Sequence, residues 1–329
     1  MFDLVAIGDV VWDIILESEE IFLLCPRDKR IGSTCTEKVL CLSYGDKIPI
    51  RHSFQVVGGS ATNVVVGLSR LGAETSLCGE VGGDEEGEKI IQTLEKENVD
   101  LTYLKKYKKT KSSFSIVIIH KGEKTILFYR GFRDYSKMVL PKSLKTKWLF
   151  LSSLGPGYEK IYRNAISLAA EKNIQLAINP GNLQIEEKKP LQEILRVTKT
   201  VFFNRKEASS FCGRKNTTPV KELMVEIKKH GPEIVVITDG PDGAYAFDGK
   251  TSYHIGTYIA KRKEATGAGD AFTSGFLSAI LLGKDVKKAL QYGVINSASV
   301  IEHIGAQQGL LSGSQIESRL PKAPIPKEL

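Results

Sequence analysis

The chain has 329 residues, 42% of them hydrophobic and 26% charged, a make-up that excludes global disorder and fits a globular protein of one or two domains. No apolar run approaches the roughly 18–20 residues of a membrane helix, and MFDLVAIGDVVWD has neither a basic n-region nor a cleavage motif, so a cytoplasmic protein without a membrane partner is expected. The formal charge of +8 sits in clusters such as Lys261-Arg262-Lys263; these suit an anionic small molecule, and without a zinc-finger spacing or aromatic-basic repeat no nucleic acid partner is expected.

LVAIGDV reads as a buried strand stopped by Gly8-Asp9. From Ile14 to Phe54, β-branched pieces alternate with charged turns such as Pro26-Arg27-Asp28-Lys29, which predicts a small strand-built appendage. Gly58-Gly59 then precedes a helical pattern carrying Val64, Leu68 and Leu71 on one face, stopped by Gly72. A strand over Thr75–Val81 and a helix over Glu86–Glu97 follow, and SFSIVIIH with KTILFYR around Lys121-Gly122-Glu123 predicts a β-hairpin. From Trp148 onward apolar strands alternate with helices over Tyr158–Ala170, near Leu191–Val197 and over Val220–Lys229. That order implies parallel strands covered on both faces, with ligands beyond their carboxyl ends. Two helices, about Ala268–Leu282 and Val286–Ile304, close the chain.

The stretch EATGAGDAF places Gly267, Ala268 and Gly269 directly before a helix, where small residues expose consecutive amides to a phosphoryl group. Asp270 then stands beside that anion hole, free to take a proton from an attacking hydroxyl; tight helix packing with a first-turn Asp is the structural alternative. Asn204 and Glu207 in FFNRKEAS lie three apart beyond an apolar strand, suited to holding water ligands of Mg²⁺ or to forming a helix cap. No P-loop or Rossmann fingerprint occurs. The five cysteines form no CxxC pair and the five histidines lack metal-ligand spacing, so reduced thiols, no zinc and no nucleophile triad are expected.

Over nearly its whole length the chain resembles the PfkB carbohydrate kinase, or ribokinase-like, family of sugar and nucleoside kinases. The resemblance rests on Gly58-Gly59 with Asn63, Asn204-x-x-Glu207, Thr238-x-Gly240 with Gly243, and Thr266-Gly267-Ala268-Gly269-Asp270-Ala271-Phe272. It implies an α/β/α sandwich with a central, mostly parallel sheet and a small β-sheet lid, and ATP- and Mg²⁺-dependent phosphorylation of an alcohol. In domain terms, residues 1–13 and 55–329 would form the catalytic domain and 14–54 the lid, with hairpin 113–130 contributing strands. By motif, Asp270 looks like the catalytic base and Gly267 to Gly269 like the anion hole, while Asn204 and Glu207 resemble the residues that arrange Mg²⁺. Thr238, Gly240 and Gly243 match the nucleotide-side loop, and Asn296 resembles the asparagine near adenine. Asp13, Gly58, Gly59 and Asn63 resemble the part that grips substrate hydroxyls.

Where the commonest family form has Asp-Thr-Thr-Gly, this chain has Glu264-Ala265-Thr266-Gly267; Ala265 offers no hydroxyl, which puts a monovalent-cation site in question. Arg130, beside Arg133 at the hairpin's end, is placed either against substrate or over an apolar edge. The aromatic run from Phe128 to Phe132 inclines the expectation toward a nucleoside, with a ribose-like sugar, fructose or a sugar acid as the alternative. A nonenzymatic sugar- or nucleotide-binding regulator is the alternative of another class. An exposed edge in the appendage suggests a homodimer.

Overall fold

A computed structural model describes residues 1–18, 22–24, 39–120, 123–132 and 134–329. The turn expected at 26–29, the hairpin loop at 121–122 and Arg133 lie outside the described residues.

The chain opens with β1 (Phe2–Ile7) and β2 (Val11–Glu17), then the short strands β3 (Phe22–Leu24) and β4 (Val39–Cys41) and the longer β5 (His52–Gly58). There follow α1 (Ser60–Arg70), β6 (Thr75–Gly82), α2 (Glu85–Lys96), β7 (Leu104–Tyr107), β8 (Ser113–His120) and β9 (Glu123–Tyr129). Strands and helices then alternate through β10 (Thr146–Leu151), α3 (Glu159–Lys172), β11 (Gln175–Ile178), α4 (Asn182–Glu187), α5 (Lys189–Leu195) and β12 (Thr200–Asn204). After α6 (Arg205–Cys212), α7 (Val220–Lys228) and β13 (Ile234–Thr238) come the edge strands β14 (Ala244–Phe247) and β15 (Ser252–Ile255). The chain finishes with α8 (Ala268–Leu281), α9 (Val286–Val300), α10 (Gly313–Arg319) and β16 (Lys327–Glu328).

The main sheet runs β16-β15-β14-β13-β12-β11-β10-β1-β6-β7 and is parallel from β13 to β7. Its apolar runs are buried on both faces because successive side chains point to opposite sides. Leu4 and Ala6 of β1 join the core beneath α1, α2, α8 and α9, whereas Val5 and Ile7 join the core beneath α3, α5, α6 and α7. Each fully buried aliphatic side chain contributes about 1.5–3 kcal/mol, so the two cores clamp the sheet between helical layers. The result is the expected α/β/α sandwich.

A second sheet, β5-β2-β8-β9, stands apart from the first. The predicted hairpin is present, with β8 and β9 antiparallel, and β8 also pairs in parallel with β2. This smaller sheet begins at Val11, so the break expected after residue 13 falls inside β2, and Asp13 lies on a strand of the smaller sheet.

Two helices pack unusually close to their neighbours. A Cβ on Gly67 of α1 would lie 2.4 Å from Ser274 Oγ of α8, and one on Gly275 of α8 would lie 2.6 Å from the Tyr292 carbonyl oxygen of α9. Glycine at these crossings lets the backbones approach, and it brings the first turns of α1 and α8 side by side.

Candidate active site

That helix pairing builds the centre of the site. Asn63 Nδ2 donates to Asp270 Oδ2 at 2.8 Å, while Asn63 Oδ1 accepts from Gln307 Nε2 at 2.9 Å, fixing which way the amide points. The Ser60 hydroxyl is a further hydrogen-bond partner of Asp270. Burial pushes the Asp270 carboxyl above its ordinary value, against the opposing pull of Asn63, Ser60 and the Lys124 charge. A half-buried carboxyl so held is a suitable proton acceptor.

Helix α8 starts on Gly267, at φ 76°, without a side-chain cap; the Ala268 amide donates to the Ala265 carbonyl oxygen at 3.3 Å and the Ala271 amide to that of Gly267 at 2.8 Å, so the amides of Gly269 and Asp270 between them suit an acceptor from outside the helix. No other residue fits at 267: a Cβ there would lie 2.4 Å from that of Ala306. The loop before it is held by Glu264, a buried carboxylate that accepts from Thr266 N at 3.0 Å and Gly305 N at 2.9 Å. Both oxygens of Glu264 therefore serve backbone amides.

Beside this turn lies a cavity of about 580 Å³, lined by Thr238, Gly240, Gly243, Ala268, Gly269 and Phe272 among others. Three residues of the expected nucleotide loop and two of the expected anion hole thus share one wall system, with Gly267 turning the chain behind it. The space suits a small-molecule ligand. Asp239, whose charge faces this loop, is paired with Arg205 Nη1 at 2.6 Å. Arg205 was not singled out from the sequence, although it stands next to Asn204.

Asn296 does not reach that wall. It is fully buried, donating to the Ala271 carbonyl oxygen at 2.9 Å and to Ser274 Oγ at 3.1 Å, and accepting from Leu311 N at 3.0 Å. A buried amide with these bonds made is a tie between α8 and α9, while its helix neighbours Val294, Ser297 and Ala298 line the cavity.

Strand pairing sets Asn204 directly beside Thr238 at the carboxyl edge of the sheet. Asn204 and Glu207 form a reciprocal cap on α6: Glu207 N donates to Asn204 Oδ1 at 2.9 Å, and Asn204 N to Glu207 Oε2 at 2.8 Å. Burial raises the Glu207 carboxyl above its usual range, and the Asp270 charge raises it further. Two carboxylates that repel one another across the site, with Glu207 Oε1 outside the cap, suit a hydrated Mg²⁺. Among the described residues no three His, Cys, Asp or Glu side chains cluster as a metal cage. The residues therefore fit an ion bound mainly through water and substrate phosphates.

Across from α8, the smaller sheet presents Asp13. Ser115 Oγ of the neighbouring strand donates to Asp13 Oδ1 at 2.5 Å. Asp13 Oδ2 lies where Gly58 has no side chain: a Cβ there would be 1.9 Å away. Gly59, at φ 97°, caps α1 and would place a Cβ 2.3 Å from the Asp9 carbonyl oxygen. Burial raises the Asp13 carboxyl, as do the charges of Asp270 and Glu264, while Ser115 and Lys124 oppose the rise. The structure thus gathers Asp13, Gly58, Gly59, Asn63 and Asp270 around one cleft.

Arg130, expected either against substrate or over an apolar edge, makes an ion pair with Asp9. Its Nη2 donates to Asp9 Oδ2 at 2.9 Å, its guanidinium lies over the Phe128 ring at 5.2 Å from the centroid, and the same Asp9 carboxylate accepts from the Tyr135 hydroxyl. The aromatic run also divides. Register puts Phe128 on the face carrying Ser115 and Asp13, Tyr129 stacks on Phe114 on the opposite face, and Phe132 packs on Tyr107.

Sequence and structure comparisons agree with this fold. An "uncharacterized sugar kinase" of Archaeoglobus fulgidus is 30% identical over 255 residues, covering 74% of this chain and 98% of that protein. A 5-dehydro-2-deoxygluconokinase of Halalkalibacterium halodurans is 28% identical over 314 residues, covering 89% and 93% of the two chains. Among solved structures, the fold is similar to an Arabidopsis thaliana ribokinase complexed with ribose and ATP (TM-score 0.79, 18% identity, 97% and 98% coverage). It is also similar to a nucleoside kinase of Methanocaldococcus jannaschii (TM-score 0.78, 21% identity, 97% and 98% coverage). No helix among the described residues is long and apolar enough to cross a membrane. Residues 2–312 match the pfkB family carbohydrate kinases, and the chain belongs to that family of ATP-dependent sugar and nucleoside kinases.

Proposed function

We propose that the protein phosphorylates a hydroxyl of a sugar or sugar acid, with ATP as donor, in preference to a nucleoside. The observation that carries this reading is the face opposite Asp270: Asp13 is held by Ser115 above Gly58, and only Phe128 of the aromatic run shares that face. One fixed carboxylate accepts two vicinal hydroxyls, whereas a nucleobase needs an apolar slot that Tyr129 and Phe132 are turned away from building. Relatives named as a sugar kinase and a 5-dehydro-2-deoxygluconokinase support the same class.

In this mechanism Asp13, Gly59 and Asn63 orient the acceptor so that one hydroxyl reaches Asp270. Asp270 takes its proton as the oxygen attacks the terminal phosphorus, and the bond to the β–γ bridging oxygen breaks to release ADP. The Gly269 amide stabilises the charge that moves during transfer, joined by that of Ala268 once it leaves the Ala265 carbonyl oxygen, and Gly267 holds the turn in place. Thr238, Gly240 and Gly243 hold the nucleotide. When bound, Mg²⁺ neutralises charge on the phosphates, with Asn204 and Glu207 holding its water ligands. Closure of the small sheet excludes water that would otherwise consume ATP. The edges of that sheet, β5 and β9, are the surfaces along which a homodimer would form.

A panel of ribose, fructose, 5-dehydro-2-deoxygluconate, other sugar acids, adenosine, inosine and cytidine, read by ATP consumption and product mass, tests the proposal. A phosphorylated sugar or sugar acid with the highest kcat/KM is expected. A nucleoside monophosphate as the best product would overturn the substrate class.

A further inference from the structure

Lys124 lies near the start of β9, in register with Ile119 and on the same face of the small sheet as Asp13 and Ser115. Its side chain is exposed along the sheet yet ends across the cleft, where Nζ donates to Thr266 Oγ1 at 3.3 Å. Thr266 immediately precedes the Gly267 turn, so the lysine bridges the small sheet to the loop that presents the α8 amides. Two acidic groups lie within reach of this ammonium, since its charge acts on both Asp13 and Asp270. A hydroxyl at 3.3 Å is a weak partner for an ammonium, and an incoming phosphoryl group is a far stronger one.

We infer that Lys124 exchanges Thr266 for the terminal phosphoryl of bound ATP, so that the small sheet itself delivers a cation to the group being transferred. The inference rests on the kinase reading above. As the acceptor oxygen–phosphorus bond forms and the β–γ bridging bond breaks, with the proton on Asp270 and the electron pair on ADP, charge on the moving group is met from two sides. The α8 amides meet it from the core and Lys124 from the sheet. A cation on the small sheet also ties its closed position to the presence of the third phosphate, since ADP lacks the group that Lys124 engages.

The test is calorimetric titration of the full chain with the Mg²⁺ complexes of ADP and of the non-hydrolysable imido analogue of ATP, for the parent, Lys124→Met and Lys124→Arg. The Met variant is expected to bind the ATP analogue about tenfold more weakly while its ADP affinity changes less than about twofold, and Arg is expected to retain most of the analogue affinity. Equal losses for both nucleotides, or no loss for either, would overturn the role of Lys124. A parent protein that binds neither nucleotide would instead overturn the kinase reading, so the two failures are distinguishable. Circular dichroism melts of each variant confirm that the compared chains are folded.

Discussion

The amide of Asn63 holds the carboxylate of Asp270 at 2.8 Å across two adjoining helix first turns, although 207 positions separate the residues. The same amide is held in turn by Gln307 at 2.9 Å. Asp270 is thus oriented by a chain of neutral groups, which suits the proposed role of its charge toward an acceptor hydroxyl. Removing the base with Asp270→Asn is expected to lower kcat by about 10²–10⁴-fold with ATP affinity nearly retained, measured by initial rates and nucleotide titration. Full activity in that variant would remove the assignment of the base.

The raised Asp270 carboxyl also fixes a sign for stability. A carboxyl raised in the folded state binds its proton more tightly there than in the unfolded chain, so ionising it costs stability. That cost is absent below the ordinary carboxylate value and complete above the raised one. Asp270→Asn, neutral throughout, is therefore expected to melt about 2 °C or more above the parent at pH 8, with the gap closing as pH falls through the raised value. Activity of the parent should fall over the same acidic window, because the proton acceptor is then occupied.

Gly58 makes room for the Asp13 carboxylate, the group proposed to grip the acceptor. With a Cβ only 1.9 Å from Asp13 Oδ2, Gly58→Ala must displace that carboxylate from Ser115. The acceptor KM is expected to rise about tenfold or more, with the KM for ATP within about twofold of the parent. Equal changes in both constants would show that Asp13 is not the displaced group that matters.

The Arg130–Asp9 pair joins the end of the β9 strand to the loop after β1, with side chains only 25% and 14% exposed. Arg130→Met keeps the aliphatic stem but leaves Asp9 facing the Tyr135 hydroxyl without its cation; a loss of about 2–3 kcal/mol in urea unfolding is expected, below the roughly 3–5 of fully buried pairs. Adding Asp9→Asn should recover part of it. No recovery in the double variant would mean that packing over Phe128, and not charge, sets the loss.

Glu264→Gln replaces an acceptor pair with one acceptor and one donor. Either Thr266 N or Gly305 N then faces an NH₂ group, which should loosen the Gly267 turn and weaken ATP binding about tenfold. Titration with ATP measures this directly. Unchanged affinity would show that the turn is held without the carboxylate.

Legibility in the sequence followed the range of the interactions. The Gly267-Ala268-Gly269-Asp270 turn and the apolar strands were readable because small residues and period-two burial act over a few positions. The Asn204–Glu207 cap was readable as one of two local alternatives, and the structure makes the cap with one carboxylate oxygen left over. Lys124 was not readable, since its contact with Thr266 spans 142 residues and nothing in KTILFYR marks one lysine from another. The role of Asn296 as a tie was not readable for the same reason: the sequence offers a polar residue on a late helix, and only tertiary packing turns it toward Ala271 and Leu311. β7 was missed because LKKY looks like a solvated charge run, yet it pairs in parallel at the sheet edge beside β6. α9 stops at Val300, short of the expected Ile304.

Asp13 belongs to a strand of the small sheet, while Asp270 belongs to a helix fixed in the large core. In the proposed mechanism the two groups that meet on one acceptor are therefore carried by different sheets' elements, and their spacing selects among acceptors by length. An acceptor one carbon too long or too short would be seated well and still stop out of reach.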